Sequence, residues 1–389
     1  MSQIVLHNGT ILAGYARMDR CAVFVEDGRI SDVFSERRFE QKRFNSDAAV
    51  LDVGGANIAP GLIDTHIHGF SGFGTEDLSA DAIAAMSEQL GRYGVTAFCP
   101  TIYPMDEGDM MASIRACVAT MGREPGAKVM GVHLEGPFIS PARLGVQRPE
   151  FVRPVDLDLM ERLYQAGSGH ITNMTVAPEI KGMHELALYC IKRGILVQAG
   201  HTDATYENMI EGMQAGILHS THFFNAMSRL HHRDPGAVGA IMIHSELSCE
   251  IIADGRHVHP DLIRLLLRDK PVNKVVLVTD SLKPTEQANC PLFANREEVY
   301  LKDDLFLRKA DDVIAGSSLT MIKGIRNLVK YGIPLENAVE MASSNPSRIL
   351  GLGKRGLLVP GYEADIVVFD DSFRILASIA GGRFLKNEL

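Results

Sequence analysis

Between residues 58 and 354, short apolar runs alternate with segments of helical period, and this alternation limits the fold more than any other feature of the chain. The runs are APGLIDTHIHG, VTAFCPT, KVMGVHLEGP, HITNMTVAPE, GILVQAGHT, ILHSTHFFNAM, SCEIIADGRH and KVVLVTDS, eight in all. Residues 79–93 (SADAIAAMSEQLGRY) and 182–193 (GMHELALYCIKR) carry helical spacing between them. A continuous apolar run suits a strand covered on both faces, the environment of a parallel strand flanked by helices. Eight strand–helix units predict an α/β fold built on a (β/α)8 TIM-type barrel, whose usual size is about 250 residues. A doubly wound open sheet is the alternative. The stretch HIHGFSGFG after the first run is Gly-rich, but it lacks the glycine spacing of that fold's phosphate turn and carries histidines instead.

The ends of the chain have a different texture. Residues 3–12, 21–33 and 48–53 are short β-rich runs, and the β texture returns after residue 355 in GLLVPGYEADIVVFD and FRILASIAGGRFL. Asn8-Gly9 and Asp27-Gly28 suit hairpin turns. Residues 1–57 and 355–389 are therefore expected to form a small β-sandwich domain around a barrel spanning 58–354. Lys plus Arg number 39 against 48 Asp plus Glu, a net charge of −9, which argues against a nucleic-acid partner. The start lacks the basic head and apolar run of a signal peptide, and no long apolar stretch occurs elsewhere. A cytoplasmic protein without membrane contact is expected. The cysteines at 21, 99, 117, 190, 249 and 290 are scattered, with no paired spacing, and read as reduced, mostly core residues.

Chemistry gathers at the C-terminal ends of the runs, where barrel enzymes build their active sites. The first run ends in His66-Ile67-His68, and residues two apart in a strand face the same side. The third ends in Glu135, the fifth in His201, the sixth in His222 and the eighth in Asp280. A lone histidine at a strand end is more often a hydrogen-bonded structural residue than a ligand. Five strand ends carrying ligand types in one barrel point to a divalent metal, with zinc first and iron, manganese or cobalt as alternatives.

The H-x-H after the first strand resembles the amidohydrolase superfamily, and longer strings narrow the likeness. HLEGPF (133–138), THFFNAM (221–227) and IADGRHVHP (252–260) resemble N-acetylglucosamine-6-phosphate deacetylases. LVTDS (277–281), IAGSSLTM (314–321) and GYEADIVVFD (361–370) agree, in family order over nearly the whole chain. The resemblance implies a metal-dependent hydrolase that turns N-acetylglucosamine 6-phosphate into glucosamine 6-phosphate and acetate. It implies that Glu135, His201 and His222 hold the principal ion and that Asp280 is general base and acid. His66 and His68 would form a second site with Glu135 bridging and Asp280 nearby, so one or two ions per subunit are expected. By the same likeness Val146, Gln147, Asn225, Ala226, Arg233, His257, Ile314, Ala315 and Gly316 bind the phosphorylated amino sugar. A homodimer is implied, with Arg233 reaching the neighbouring active site.

One string departs from the pattern. Most relatives read Lys-Gly-Ala-His where this chain reads Leu144-Gly145-Val146-Gln147, so an altered sugar preference is expected. The alternatives are a deacetylase of another N-acylated amino-sugar 6-phosphate such as N-acetylgalactosamine 6-phosphate, a dihydroorotase or hydantoinase, and a non-catalytic scaffold. Dihydroorotases and hydantoinases bridge their metals with a carboxylated lysine ending the fourth strand, and MTVAPE offers none. A silent scaffold would be expected to have lost ligands, and every candidate is present.

Overall fold

Two-sided burial of the apolar runs requires parallel strands, and that is how they fold. The computed structural model describes residues 3–14, 16–287 and 291–389. The runs form β1 (Leu62–Ile67), β2 (Val95–Ile102), β3 (Val132–Glu135), β4 (Ile171–Val176), β5 (Leu196–Ala199), β6 (His219–Ser220), β7 (Ser248–Ile252) and β8 (Val275–Val278). Each pairs in parallel with the next, from β1 to β8. The segments of helical period are the helices Ala80–Arg92 and Met183–Ile191. This is the α/β barrel expected.

The barrel closes between the first and last strands. Asp280 donates its backbone N–H to the His66 carbonyl at 2.9 Å, and His68 donates to the Ser281 carbonyl at 2.9 Å. Buried Asp64 ties this seam from within. Its carboxylate accepts the Thr279 hydroxyl at 2.6 Å, the Thr279 N–H at 3.3 Å and the His66 N–H at 3.4 Å. Burial pushes the Asp64 pKa up to about 7, against the pull of those bonds.

The end segments form the small β-domain expected, its strands hydrogen-bonded into one eight-stranded sheet. Asn57–Pro60 is the link: it pairs with Gln3–Leu12 on one side and Ile366–Phe369 on the other. Residues 58–60, counted with the barrel from sequence, thus belong to this sheet. The sheet wraps its own core, which includes Leu6, Ile11, Val23, Ile58, Val368 and Ile379. Asp27-Gly28 makes the expected turn, with φ of 48° and 79°. Asn8-Gly9 does not. The strand runs through it with a register shift, Asn8 adopts φ 58° and its N–H bonds Glu36 Oε2 at 2.9 Å. A Cβ on Gly9 would sit 2.6 Å from Ile58 Cδ1, so the glycine serves close packing inside a bulge.

Sequence reasoning passed over an insertion after β8. Leu292–Ala294, Glu297–Lys302, Leu305–Arg308 and Ile314–Ser317 form a four-stranded antiparallel sheet. Its last strand returns to the barrel mouth, where Ser317 donates its N–H to the Asp280 carbonyl at 3.0 Å. Cys21, Cys99, Cys117, Cys190 and Cys249 are buried and free, while Cys290 lies outside the described residues. Among the described residues no helix is long and apolar enough to cross a membrane.

The seam yields a prediction. Thr279→Val preserves side-chain shape but leaves a buried carboxylate oxygen without its hydroxyl donor. Above the Asp64 pKa of about 7, where the carboxylate is charged, a bond of this kind contributes about 1.5–3 kcal/mol, and urea unfolding at alkaline pH followed by circular dichroism should show a loss of that order. An unchanged midpoint would show that the seam does not depend on this contact.

Candidate metal centre

The candidate donors other than His66, which lies within β1, reach the barrel mouth by three kinds of local geometry. Glu135 is the last residue of β3, and His68 follows the last residue of β1. His201, His222 and Asp280 each stand just beyond the ends of β5, β6 and β8, with left-handed φ of 46°, 21° and 50°. A non-glycine residue held there stores roughly 1–3 kcal/mol of strain, of the kind that collects at functional sites. The bend ends each strand abruptly and leaves the side chain over the mouth.

Glu135 is the hub. Its Oε1 lies 3.1 Å from His222 Nε2, 3.2 Å from His201 Nε2 and 3.4 Å from His66 Nε2. Its Oε2 lies 3.3 Å from His68 Nε2. Asp280 Oδ1 faces His68 Nε2 at 3.5 Å and His66 Nε2 at 3.6 Å. Two donor trios result, Glu135–His201–His222 and His66–His68–Asp280, each with its ligand atoms within 4.8 Å of one another.

The other ring nitrogens decide what these rings can bind. His66 Nδ1 meets the Glu250 carboxylate at 2.9 Å, His68 Nδ1 the Thr101 carbonyl at 3.1 Å and His201 Nδ1 the Arg143 carbonyl at 3.0 Å. Those oxygens only accept, so each Nδ1 carries a proton and each Nε2 of the neutral ring turns a lone pair toward Glu135. Lone pairs facing a carboxylate repel it unless positive charge lies between them. His66 Nε2 has no hydrogen-bond partner among the described residues, and the Nε2 atoms of His201 and His222 stand only 3.0 Å apart. This donor set fits a divalent cation, with outer acceptors that orient the ligands.

The carboxylates and imidazoles also shift one another's proton affinities. Burial would raise the Glu135 pKa, but the charge and close nitrogen of His201, with the nearby nitrogens of His222 and His66, hold it well below the usual carboxylate range. Burial opposes charge on His66, yet Glu250, Asp280 and Glu135 raise its pKa well above the ordinary value. Glu250, also fully buried, is drawn down to about 2, chiefly by His66.

Above the donors opens a cavity of about 380 Å³, within the range that holds a small ligand. His68, Glu135, His201, His222 and Asp280 line its base, with Val146, Gln147, Asn225, Ala226, His257, Ile314, Ala315 and Gly316 around them. His66 lies beneath, wholly buried. Arg233 does not line the cavity; it sits on an exposed loop, its guanidinium 2.8 Å from His232 Nε2. His257 is pinned by Asp254, with Nδ1 2.5 Å from Oδ2. Burial lowers the His257 pKa, but that bond and charge outweigh it and the net shift is upward. Gln147 donates its Nε2–H to Glu135 Oε2 at 2.5 Å, while its Oε1 is buried without a partner among the described residues.

Sequence reasoning missed several neighbours. Tyr103 stacks on His68, with ring centroids 3.7 Å apart and planes 6° from parallel. Arg143 lines the cavity and is bonded to Asp203 at 2.7 Å. Neither gave a signal, since both sit in loops. Glu250 did: it is the one charged residue within the strand Ser248–Ile252, where burial on both faces makes a carboxylate abnormal.

Comparison with known proteins extends this geometry. Residues 57–385 match the amidohydrolase family. N-acetylglucosamine-6-phosphate deacetylase of Bacillus subtilis (strain 168) is 33% identical over 393 residues, covering 99% of this chain and 96% of that protein. N-acetylgalactosamine-6-phosphate deacetylase of Escherichia coli O157:H7 is 30% identical over 321 residues, covering 82% of this chain and 85% of that protein. A variant of N-acetyl-D-glucosamine-6-phosphate deacetylase from Mycobacterium smegmatis, solved with N-acetyl-D-glucosamine 6-phosphate, superposes with a TM-score of 0.91 at 27% identity, covering 100% of both chains.

Proposed function

The chain belongs to the amidohydrolase family, and from that premise we propose that it hydrolyses N-acetylglucosamine 6-phosphate to glucosamine 6-phosphate and acetate. The observation that carries this reading is the pair of donor trios under the cavity, Glu135–His201–His222 and His66–His68–Asp280, with the Glu135 carboxylate also 3.4 Å from His66 and 3.3 Å from His68. Glu135, His201 and His222 would hold the principal divalent ion, and His66, His68 and Asp280 a second. Zinc is the first candidate, with iron, manganese or cobalt as alternatives. Such an ion supplies a Lewis acid that brings the pKa of water toward neutrality and polarises an amide carbonyl.

The proton work falls to Asp280. Its carboxylate accepts a proton from the attacking water and returns it to the amine nitrogen as the C–N bond breaks, serving first as base and then as acid. Its position is supported from both sides of the backbone, N–H to the His66 carbonyl and C=O to the Ser317 N–H. His257, whose pKa Asp254 raises against the effect of burial, would meet the sugar phosphate as a hydrogen-bond donor, and Asn225 and Ala226 line the same cavity. Val146, Gln147, Ile314, Ala315 and Gly316 would flank the sugar. Arg233, outside its own cavity, would serve the neighbouring subunit of a homodimer.

Three outcomes test these assignments. Asp280→Asn keeps shape and removes the base, so acetate release should slow by about 10²–10⁴-fold with little change in substrate binding. Near-normal turnover in a folded, metal-loaded Asn variant would remove Asp280 from the mechanism. For selectivity, kcat/KM is compared across the N-acetylated glucosamine, galactosamine and mannosamine 6-phosphates for the native chain and Gln147→His. Gln147 keeps one donor and one acceptor but cannot become a cation, so the His variant should shift preference toward the glucosamine compound. If the native chain already favours that compound strongly and the variant changes nothing, Gln147 has no part in selectivity. Sedimentation at assay concentration should show a dimer; a fully active monomer would refute the Arg233 assignment.

A further inference from the structure

Under the base of the cavity, on the side away from any substrate, Glu250 lies on β7 with no exposed surface. Its two oxygens have separate partners. Oε2 meets His66 Nδ1 at 2.9 Å and accepts the backbone N–H of His222 at 3.1 Å. Oε1 accepts the Gln198 amide at 3.2 Å and stands 3.9 Å from His219 Nε2. Gln198 also donates to the Thr221 hydroxyl at 2.8 Å, next in the chain to His222. No lysine or arginine bonds this carboxylate among the described residues, and a charge so buried is costly unless something nearby needs it. A merely structural network in this barrel could be completed by a neutral amide. The negative charge is directed instead at the donor cluster.

We infer that Glu250 is the positioning residue for the whole centre: it keeps the proton on His66 Nδ1, so that Nε2 is left as a ligand, and it anchors the backbone from which His222 projects. One buried charge thereby orders a donor in each trio. Glu135 and Asp280 alone leave two divalent ions undercompensated, and Glu250 adds a further negative charge one imidazole away. A carboxylate behind a ligating imidazole also raises the basicity of the ring. The inference rests on reading the cluster as a metal centre and does not depend on which sugar is the substrate.

The test uses the full chain stripped of metal and titrated with cobalt(II), followed by calorimetry and by the visible absorption of the bound ion. The native protein is compared with Glu250→Gln and Glu250→Asp. Gln keeps an acceptor for both N–H groups but removes the charge; Asp keeps the charge and withdraws it by one methylene. Losing such an outer partner weakens metal binding by about 10–100-fold, and Glu250→Gln should lose that much, most at the ion held by His66 and His68. Glu250→Asp should recover part of the loss. A second readout needs no folded Glu250 variant. In the native protein labelled with ¹⁵N-histidine, the signal absent from His66→Gln should report a proton on Nδ1 that is protected from exchange. An unprotonated Nδ1 would overturn the inference. Equal cobalt affinity in the native protein and both variants would overturn it while leaving the metal reading intact. A native protein that takes up no cobalt would defeat the metal reading and this inference with it.

Discussion

The Glu135 carboxylate faces four imidazole nitrogens at 3.1–3.4 Å in a pocket that leaves it almost no contact with water, and the rest of the barrel mouth is arranged around that crowding. In so dry a place the charges interact strongly and none can be neutralised by solvent. The imidazoles come from β1, β5 and β6, while the carboxylates come from β3 and β8. No two neighbouring elements could assemble such a set. A closed barrel can, because it brings the ends of all its strands to one rim. Closure is therefore a condition of the chemistry. The Asp64–Thr279 contact that ties the seam lies one residue from Asp280 in the chain, so the fold's last joint and the proposed proton carrier share a turn.

A second layer of acceptors gives the first its direction. Thr101, Arg143 and Glu250 hold the far nitrogens of His68, His201 and His66, so three rings present their Nε2 atoms without having to search rotamers. Left-handed backbone at His201, His222 and Asp280 adds local strain that the surrounding barrel core offsets. The inserted antiparallel sheet contributes the opposite wall, through Ile314, Ala315 and Gly316. A rigid base beneath a wall built from a separate insertion is an arrangement in which substrate selection could change without disturbing the donors.

Much of this is legible in the sequence. His66, Glu135, His201, His222 and Asp280 end apolar runs, and the periodicity that marks the strands also marks where they stop. Their convergence followed from the barrel. What escaped has a physical reason in each case. Asn8-Gly9 has the composition of a hairpin turn, but the choice between turn and bulge depends on Ile58, far along the chain, which packs against the glycine. The shared texture of the two ends marks them as one β-domain, but the link through Asn57–Pro60 pairs distant segments, which local pattern does not encode. Tyr103 and Arg143 reach the cavity from loops, where no period restricts the direction of a side chain. Glu250 was visible as a charge inside a buried run, but its partners on β1, β5 and β6 became apparent only once the strands were assembled.

On the function proposed above, water attacks an acetyl carbon at this centre and the acetyl group leaves as acetate. Turnover of N-acetylglucosamine 6-phosphate in H₂¹⁸O, stopped early and read by mass spectrometry, tests it most directly. The expected products are free glucosamine 6-phosphate and acetate in equal amounts, with one solvent oxygen in the acetate and none in the sugar. No acetate from the metal-loaded protein, or label in the sugar instead of the acetate, would contradict it.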